Sequence, residues 1–158
     1  MSLEPLSIRR PTADQFSEVI ALLTQSQLGS ADISLANLQH FRLISTTARV
    51  LAVAGLEPLG RIALLRSVAV VADQQGQGLA TQLVQALETH ARRIGLHALY
   101  LLSARAGLFF ARQGFSEIAR DEMPAVLHAS AELTGSERHG VVMLKIILRA
   151  PANDQPPA

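Results

Sequence analysis

The sequence has no cysteine, no tryptophan and a single tyrosine among its 158 residues. Without cysteine there can be no disulfide, no thiolate nucleophile and no cysteine-ligated metal, and this usage is typical of a reducing compartment. No run approaches the eighteen uninterrupted apolar residues of a membrane-spanning helix, and residues 1–5 lack the basic and apolar segments of a signal peptide. We therefore expect a cytoplasmic protein with no membrane association.

Charge of either sign is also scarce. Lysine and arginine number 14 against 13 aspartates and glutamates, so the formal net charge of +1 offers no case for nucleic-acid binding. The five histidines are scattered without an i, i+4 pair, so we expect no metal site. With 49% hydrophobic residues the chain can bury a core. We predict one domain over residues 1–149 and a disordered tail, rich in proline and alanine, over residues 150–158.

The hydrophobic periodicity predicts an α+β fold in the order β-α-α-β-β-β-α-β-α-β-(α)-β. In the first half, a helix capped near Thr12 and a short helix starting at Asp32 or Ser34 follow the first strand. Three apolar, β-branched runs then read as an antiparallel meander. The strands of this half are predicted over residues 6–10, 41–44, 50–56 and 62–71.

The second half begins with the best-formed helix, over residues 78–94, whose apolar residues recur on one face and which Gly95 ends. A compact strand (98–103), a short helix (106–112) and another strand (115–119) follow. Pro124 suits the first turn of a helix through residue 131. The final strand, 141–148, is apolar enough to pair across a homodimer.

The connection between the fourth strand and the long helix carries the clearest functional signal. Its residues, in order, are Val68, Ala69 and Val70, then Gln75, Gly76, Gln77 and Gly78, then Leu79, Ala80 and Thr81. A strand, a glycine-rich turn with free backbone N–H groups and a helix N-terminus together form an anion cradle. The spacing matches neither a P-loop nor a dinucleotide-binding fingerprint.

This segment resembles motif A of the GNAT superfamily of acyl-CoA-dependent N-acyltransferases, whose usual pattern is Arg/Gln-x-x-Gly-x-Gly/Ala after the fourth strand. The run Phe109-Phe110-Ala111-Arg112-Gln113-Gly114-Phe115 resembles the F-Y-x-x-x-G-F segment of the same superfamily. The segments around Leu64, Tyr100 and Phe109 are in addition similar to the acetyltransferases encoded beside arsenic-resistance genes. That narrower resemblance implies no particular substrate.

The superfamily resemblance implies a single-domain GNAT fold, with a mixed sheet of six to seven strands, helices on both faces, and strands four and five splayed apart. It implies acetyl-CoA as the acyl donor. The backbone from Gln75 to about Thr81 would hold the pyrophosphate, and strand four would pair with the pantetheine amides and supply an oxyanion-stabilising amide from Val68 or Ala69. The residues thereby expected at the donor are Val68, Ala69, Val70, Gln75, Gly76, Gln77, Gly78, Leu79, Ala80, Thr81, Phe109, Phe110 and Arg112.

The resemblance identifies neither the residue that protonates the thiolate nor the base that deprotonates the amine. Phe110 occupies the position where many GNAT enzymes have a tyrosine, and phenylalanine cannot protonate the departing thiolate. Tyr100 and Ser103 are alternative donors, as is water, while Tyr100 could equally be a packing residue. Glu57 could order a water that acts as base, or it could be a solvated turn residue.

Arg66 is the candidate for binding an acceptor carboxylate, because it has the same strand parity as Val68 and Val70; the alternative is a salt bridge on the sheet. A peptide-like α-amine of pKa near 8 is about a tenth neutral at pH 7, whereas lysine is almost wholly charged, so a site without an obvious base favours α-amino or other weakly basic amines. We therefore predict acetyl transfer to a small-molecule amine in a ternary complex. The alternatives are a non-catalytic acyl-CoA sensor and a protein or peptide N-acetyltransferase.

Overall fold

The structure, a computed structural model, describes residues 6–135 and 138–147. One seven-stranded mixed sheet forms its centre, with the strand order β1-β2-β3-β4-β5-β7-β6. The strands are β1 (Ser7–Arg9), β2 (Phe41–Ser45), β3 (Val50–Leu59), β4 (Ile62–Val70), β5 (Ala98–Ser103), β6 (Ser116–Ile118) and β7 (Val141–Ile146). The predicted antiparallel meander is confirmed, because β2, β3 and β4 pair in that order.

Three α-helices and several 3₁₀ turns connect the strands. The helices are α1 (Phe16–Gln25), α2 (Leu79–Arg93) and α3 (Gly107–Arg112). Helix α1 packs on one face of the sheet with Phe41, Leu43 and Val53, while α2 packs on the other face with Ile44 and Leu56. Helices on both faces were expected from the resemblance, and the structure confirms them. Among the described residues, no helix is long and apolar enough to cross a membrane.

Strands β4 and β5 are parallel neighbours that separate along their length. Their ladder consists of Ile62 with Ala98, Ala63 with Leu99, and Leu64 with Tyr100, and it continues no further. From that point the two strands diverge, and the gap between them opens towards their carboxyl ends. The predicted splay is therefore confirmed.

Two predictions about the second half need correction. The final strand, predicted over 141–148, lies between β5 and β6, so both of its edges are occupied and it cannot pair across a homodimer. The edge position belongs to β6, whose order in the sheet is decided by long-range pairing that local pattern does not reveal. The segment after Pro124 forms two 3₁₀ turns, Ala125–Ala129 and Ala131–Leu133, where a helix was predicted. The predicted tail, 150–158, lies outside the described residues.

Those 3₁₀ turns nevertheless cover part of the sheet. Met123 and Leu127 pack with Leu64, Tyr100 and Val142, on the face that also carries α1. The segment thus closes the core by burying two large apolar side chains without a regular helical face. This placement brings the following residues, Ser130 and Glu132, to the side of β4.

Candidate active site

A β-bulge in β4 shapes the start of the candidate site. Arg66 pairs with Gly55 and Ala69 pairs with Val53, so Ser67 and Val68 together oppose the single residue Ala54. Ser67 has a φ of 60°, in the left-handed region that non-glycine residues rarely adopt. A bulge bends its strand and leaves backbone groups outside the regular ladder. It lies just beyond Leu64, the last residue of β4 that pairs with β5.

The glycine turn between β4 and α2 carries the second part of the site. Gly76 and Gly78 have φ angles of 79° and 81°, and an added Cβ would meet no atom within 4 Å at either position. Glycine is therefore needed here for backbone conformation and not for space. Gly78 is the N-cap of α2, so the first N–H groups of a 15-residue helix point towards this turn. The turn is thus a cradle for an anion, where both amide donors and the helix dipole favour negative charge.

The two parts belong to one cleft of about 580 Å³, which runs from the glycine turn into the gap between β4 and β5. Most of the residues predicted to hold the donor line it. They are Val68, Ala69, Val70, Gln75, Gly76, Gly78, Leu79, Ala80, Thr81, Phe109 and Phe110. The two sequence motifs are also joined directly, since Gln113 Nε2 donates to Thr81 Oγ1 at 3.1 Å.

Four predicted residues lie elsewhere. Gln77 and Arg112 are exposed and are not among the residues that line the cleft. Tyr100 packs with Leu64 in the core on the α1 side of the sheet and does not line the cleft either. Glu57 lines a second cavity, of about 340 Å³, adjacent to the first.

Arg66 was predicted to share a face with Val68 and Val70, and that prediction is wrong. Arg66 lies on the α1 side with the cross-strand partner Gly55, while Val68 and Val70 pack against the α2-side core. The extra residue of the bulge reverses the alternation of side chains between positions 66 and 68, because the period of a strand is two. The prediction had assumed a strand without a bulge, in which residues two positions apart share a face.

The Arg66 guanidinium is buried and is surrounded by carboxylates. Nη1 contacts Asp32 Oδ2 at 2.5 Å and Nη2 contacts Asp32 Oδ1 at 2.9 Å; Glu57 Oε1 lies 3.4 Å from Nη1 and Glu132 Oε1 lies 3.5 Å from Nε. Burial alone would lower the Arg66 pKa, but the hydrogen bond to Asp32 and the three negative charges outweigh it and the pKa is raised. The same pair lowers the pKa of Asp32. Arg66 is therefore engaged by the protein's own carboxylates.

Arg66 and Glu132 line the cleft, and Arg66, Asp32 and Glu57 line the second cavity, so this ion-pair network forms the wall between the two. Ser130 Oγ donates to Glu57 Oε1 at 2.7 Å, which fixes the Glu57 carboxylate. The wall carries three carboxylates and one guanidinium. A cationic amine approaching the bulge from this side would meet a region of negative potential.

Comparison with known proteins gives a consistent assignment. Residues 14–115 match the acetyltransferase (GNAT) family, and this match spans more than half of the chain and includes both motifs. The chain belongs to the acetyltransferase (GNAT) family. The cleft that runs from the glycine turn to the bulge is lined by residues of both matched motifs and is named the GNAT cleft.

The curated relatives of this GNAT protein include amino-acid acetyltransferases. The one from Ectopseudomonas mendocina (strain ymp) is 26% identical over 152 residues, which is 89% of this chain and 34% of that protein. The one from Edwardsiella ictaluri (strain 93-146) is 28% identical over 125 residues, which is 74% of this chain and 28% of that protein. The chain therefore spans about a third or less of the length of the curated relatives it matches.

Solved structures share the fold at low identity. N-acetylglutamate synthase from Neisseria gonorrhoeae, complexed with coenzyme A and N-acetyl-glutamate, is 20% identical with a TM-score of 0.81, over 94% of this chain and 36% of that one. Rv2747 from Mycobacterium tuberculosis, in complex with CoA and NLQ, is 21% identical with a TM-score of 0.74, over 90% of this chain and 99% of that one. These similarities show the GNAT fold.

Two further residues from the predicted site, Ser103 and Phe110, line the GNAT cleft. Ser103, at the end of β5, is buried and lines the cleft, and its Oγ accepts a hydrogen bond from the Ala106 N–H at 2.8 Å. That contact uses a lone pair of the hydroxyl and leaves its proton available for donation. Phe110 lies in the cleft wall with its ring edge-on to Phe109 and Phe115.

Sequence reasoning missed the residues that complete the site from distant segments. Asp32 was assigned only as a helix cap, and Leu28, Ser130 and Glu132 were given no role at the cleft. They reach β4 from loops far away along the chain, and no local spacing links them to Arg66. The structure shows no group of three or more histidine, aspartate or glutamate side chains that could hold a metal within residues 6–135 and 138–147.

Proposed function

We propose that this chain transfers an acetyl group from acetyl-CoA to the α-amine of a small, carboxylate-bearing molecule, with free amino acids as the acceptor class. The observation that carries the proposal is the single cleft in which the glycine turn at Gly76 and Gly78 is continuous with the bulge at Ser67. The names of the curated relatives support an amino acid as acceptor. The resemblance to acetyltransferases encoded beside arsenic-resistance genes adds no acceptor to this proposal.

The donor would lie along the cleft with its ends fixed by different elements. The pyrophosphate fits the glycine turn, where amide donors and the helix dipole of α2 converge. The pantetheine arm fits the unpaired edge of β4 beyond Leu64, whose backbone groups can bond its amides as an added strand would. The thioester would then lie near the bulge, where a backbone N–H of Val68 or Ala69 could stabilise the developing oxyanion.

The reaction proposed is direct attack in a ternary complex. The acceptor nitrogen forms a bond to the thioester carbonyl carbon, the carbon–sulfur bond breaks, the amine loses one proton and the thiolate of coenzyme A gains one. The chain has no cysteine that could carry the acyl group covalently. We assign to Ser103, which lines the cleft, the transfer of a proton to the thiolate, and to Glu57 or Glu132 the removal of a proton from the acceptor ammonium.

A free amino acid carries a charged α-ammonium at pH 7, because its amine is more basic than the α-amine of a peptide. Glu57 and Glu132 on the Arg66 wall would take up the proton that this ammonium must lose before it attacks. The carboxylates also favour the approach of an ammonium group over that of an anion.

A panel assay tests this proposal. Release of the free thiol from acetyl-CoA is followed with the common L-amino acids, with primary amines that lack a carboxylate and with short peptides, and acetylated products are identified by mass spectrometry. Turnover with free amino acids supports the proposal. Turnover with peptides alone would indicate a protein N-acetyltransferase. Binding of coenzyme A without turnover would indicate a sensor, and failure to bind coenzyme A would overturn every one of these functions.

A further inference from the structure

Two loops face each other across the mouth of the cleft. Arg105 lies in the loop between β5 and α3, and its Nη2 donates to Oε1 of Gln27, which follows the end of α1, at 3.0 Å. Leu28, next to Gln27, lines the cleft, and Ser103 and Ala106 on either side of Arg105 line it as well. Gln27 and Arg105 are themselves exposed and do not line the cleft, so their contact bridges the two loops at its rim, from residues 78 positions apart in the sequence.

The backbone fixes the Gln27 side of this contact. Gln27 has a φ of 62°, and the N–H groups of Gln27 and Leu28 donate to the last carbonyls of α1, at Thr24 and Leu23. A left-handed residue at this position ends the helix and redirects the chain. The redirection places Leu28 in the cleft wall and leaves the Gln27 amide at the rim.

The charge of Arg105 is not neutralised in the described part of the chain. Its hydrogen-bond partner there is a neutral amide oxygen, and no carboxylate lies within ion-pair distance of its guanidinium. Arg66, the cation within the cleft wall, is instead held by Asp32 through two hydrogen bonds. A guanidinium bonds a carboxylate more strongly than a neutral amide and can do so with two parallel hydrogen bonds.

We propose that Arg105 binds the α-carboxylate of the acceptor and thereby selects free amino acids over amines that lack a carboxylate. This inference rests on the proposed acetyl transfer. The incoming carboxylate replaces Gln27 Oε1 as the partner of the guanidinium, at the rim formed by residues 27 and 105. The adjacent α-amine is then directed inwards, towards the bulge at Ser67 and the carboxylates beside Arg66. The carboxylate of the amino acid thus lies at the Arg105 guanidinium, and its ammonium lies near the carboxylates beside Arg66, close to the proposed position of the thioester.

The test compares Arg105→Gln with wild type on two acceptors that differ only in the carboxylate. These are the best free amino acid from the panel and the α-carboxamide of that same amino acid. Losing a charge-assisted pair of about 1.5–3 kcal/mol corresponds to a loss of about 10- to 100-fold in kcat/KM for the free amino acid, mainly through KM. For the carboxamide we expect the variant and the wild type to agree within about twofold.

Two further variants sharpen the result. Arg105→Lys retains the charge without the planar fork and should recover part of the loss. Arg61→Gln is the matched control, since Arg61 is exposed at the opposite end of β4, and it should leave both acceptors unaffected. The affinity for coenzyme A, measured by titration calorimetry, should be the same in all four proteins, which shows that the cleft is intact.

Several results would overturn the inference. Equal losses on the amino acid and its carboxamide would show that Arg105 only supports the loop, and no loss on either would show that it does not contact the acceptor. Wild-type turnover restricted to amines without a carboxylate would refute the inference while acetyl transfer stands. Absence of turnover by the wild type with every acceptor would instead count against the proposed function itself.

Discussion

Arg66 and Asp32 are joined by two hydrogen bonds, of 2.5 Å from Nη1 and 2.9 Å from Nη2, that connect β4 to the loop after α1. The guanidinium is buried, whereas the Asp32 side chain is about a third exposed. Glu57 and Glu132 approach the same guanidinium from β3 and from the 3₁₀ segment. One arginine therefore holds three separate segments at the wall of the cleft.

Replacing Arg66 should destabilise the fold. In Arg66→Met the cation is lost and three carboxylates are left facing one another, so we expect the free energy of unfolding to fall by about 3 kcal/mol. Urea denaturation followed by circular dichroism measures this change. Asp32→Asn, which leaves Arg66 two other carboxylates, should cost about 1 kcal/mol. An unchanged urea midpoint in Arg66→Met would show that the network does not support the fold.

The glycine turn should be sensitive to a single methyl group. Gly78→Ala places a Cβ at a left-handed position, which costs about 1 kcal/mol of stability, and the methyl group would project at the cradle. We expect the affinity for coenzyme A, measured by calorimetry, to fall by about tenfold or more, because amides at the turn can no longer approach the pyrophosphate closely.

Gly95 offers a matched control for this substitution. It ends the same helix with a φ of 83°, and an added Cβ there would also meet nothing within 4 Å. Gly95→Ala should therefore lose a similar amount of stability while its affinity for coenzyme A stays at the wild-type value. Equal affinity losses in the two variants would place the anion away from Gly78.

Ser103 is the side chain that we expect to protonate the departing thiolate. Ser103→Ala should lower kcat by about 10- to 100-fold, which is less than the usual contribution of about 10²- to 10⁴-fold from a general acid, since water can replace the hydroxyl. Its KM for acetyl-CoA should stay near the wild-type value. Ser103→Thr restores the hydroxyl and should restore kcat. A wild-type kcat in Ser103→Ala would assign the proton to water.

The contact between His40 Nδ1 and His90 Nε2, at 3.1 Å, should make the protein acid-sensitive. Burial, then the positive charges of Arg42, His40, Arg10 and Arg93, lower the pKa of His90 to about 4. Unfolded histidine titrates near 6.5, so between about pH 4 and 6.5 the unfolded state binds more protons and stability falls as the pH falls. After allowance for solvent screening we expect His90 to account for about 1–2 kcal/mol of this loss.

The measurement is the urea midpoint as a function of pH. His90→Gln should flatten its slope between about pH 4 and 6.5, because glutamine takes up no proton in either state. His128→Gln, at an exposed position outside this contact, is the control and should leave the slope unchanged. A wild-type slope in His90→Gln would contradict the proposed origin of the acid sensitivity.

Much of the site could be predicted because its signals are local. The strand 98–103 and the helix beginning after Gly78 were predicted at or within a residue of their observed bounds, since their apolar periodicity and end signals are strong. The turn before this helix has glycine at positions 76 and 78, the residue type that most readily adopts the positive φ angles observed there. The order of the strands at the far edge could not be predicted from local pattern, because β7 lies between β5 and β6 through pairing across the whole second half of the chain.

The bulge shows most clearly where local reasoning fails. Serine rarely adopts a left-handed conformation, so the residue type at position 67 does not indicate a bulge. The local pattern therefore predicts a regular strand, with Arg66 on the same face as Val68. The structure puts Arg66 on the opposite face. One inserted residue reverses the face of every later side chain, so Arg66, which precedes the bulge, lies on the face opposite Val68 and Val70, where it pairs with Asp32.

By itself, the sequence determined the two family motifs and the glycine turn, because a glycine turn before a helix N-terminus presents backbone N–H groups to an anion whatever the rest of the chain does. Only the tertiary structure decided which side chains form the wall and the rim of the cleft. Asp32, Glu57 and Glu132 meet Arg66, and Gln27 meets Arg105, through folding that brings separate segments together across the sheet. Those encounters depend on strand order, on the bulge and on loop paths, none of which is encoded by the spacing of neighbouring residues.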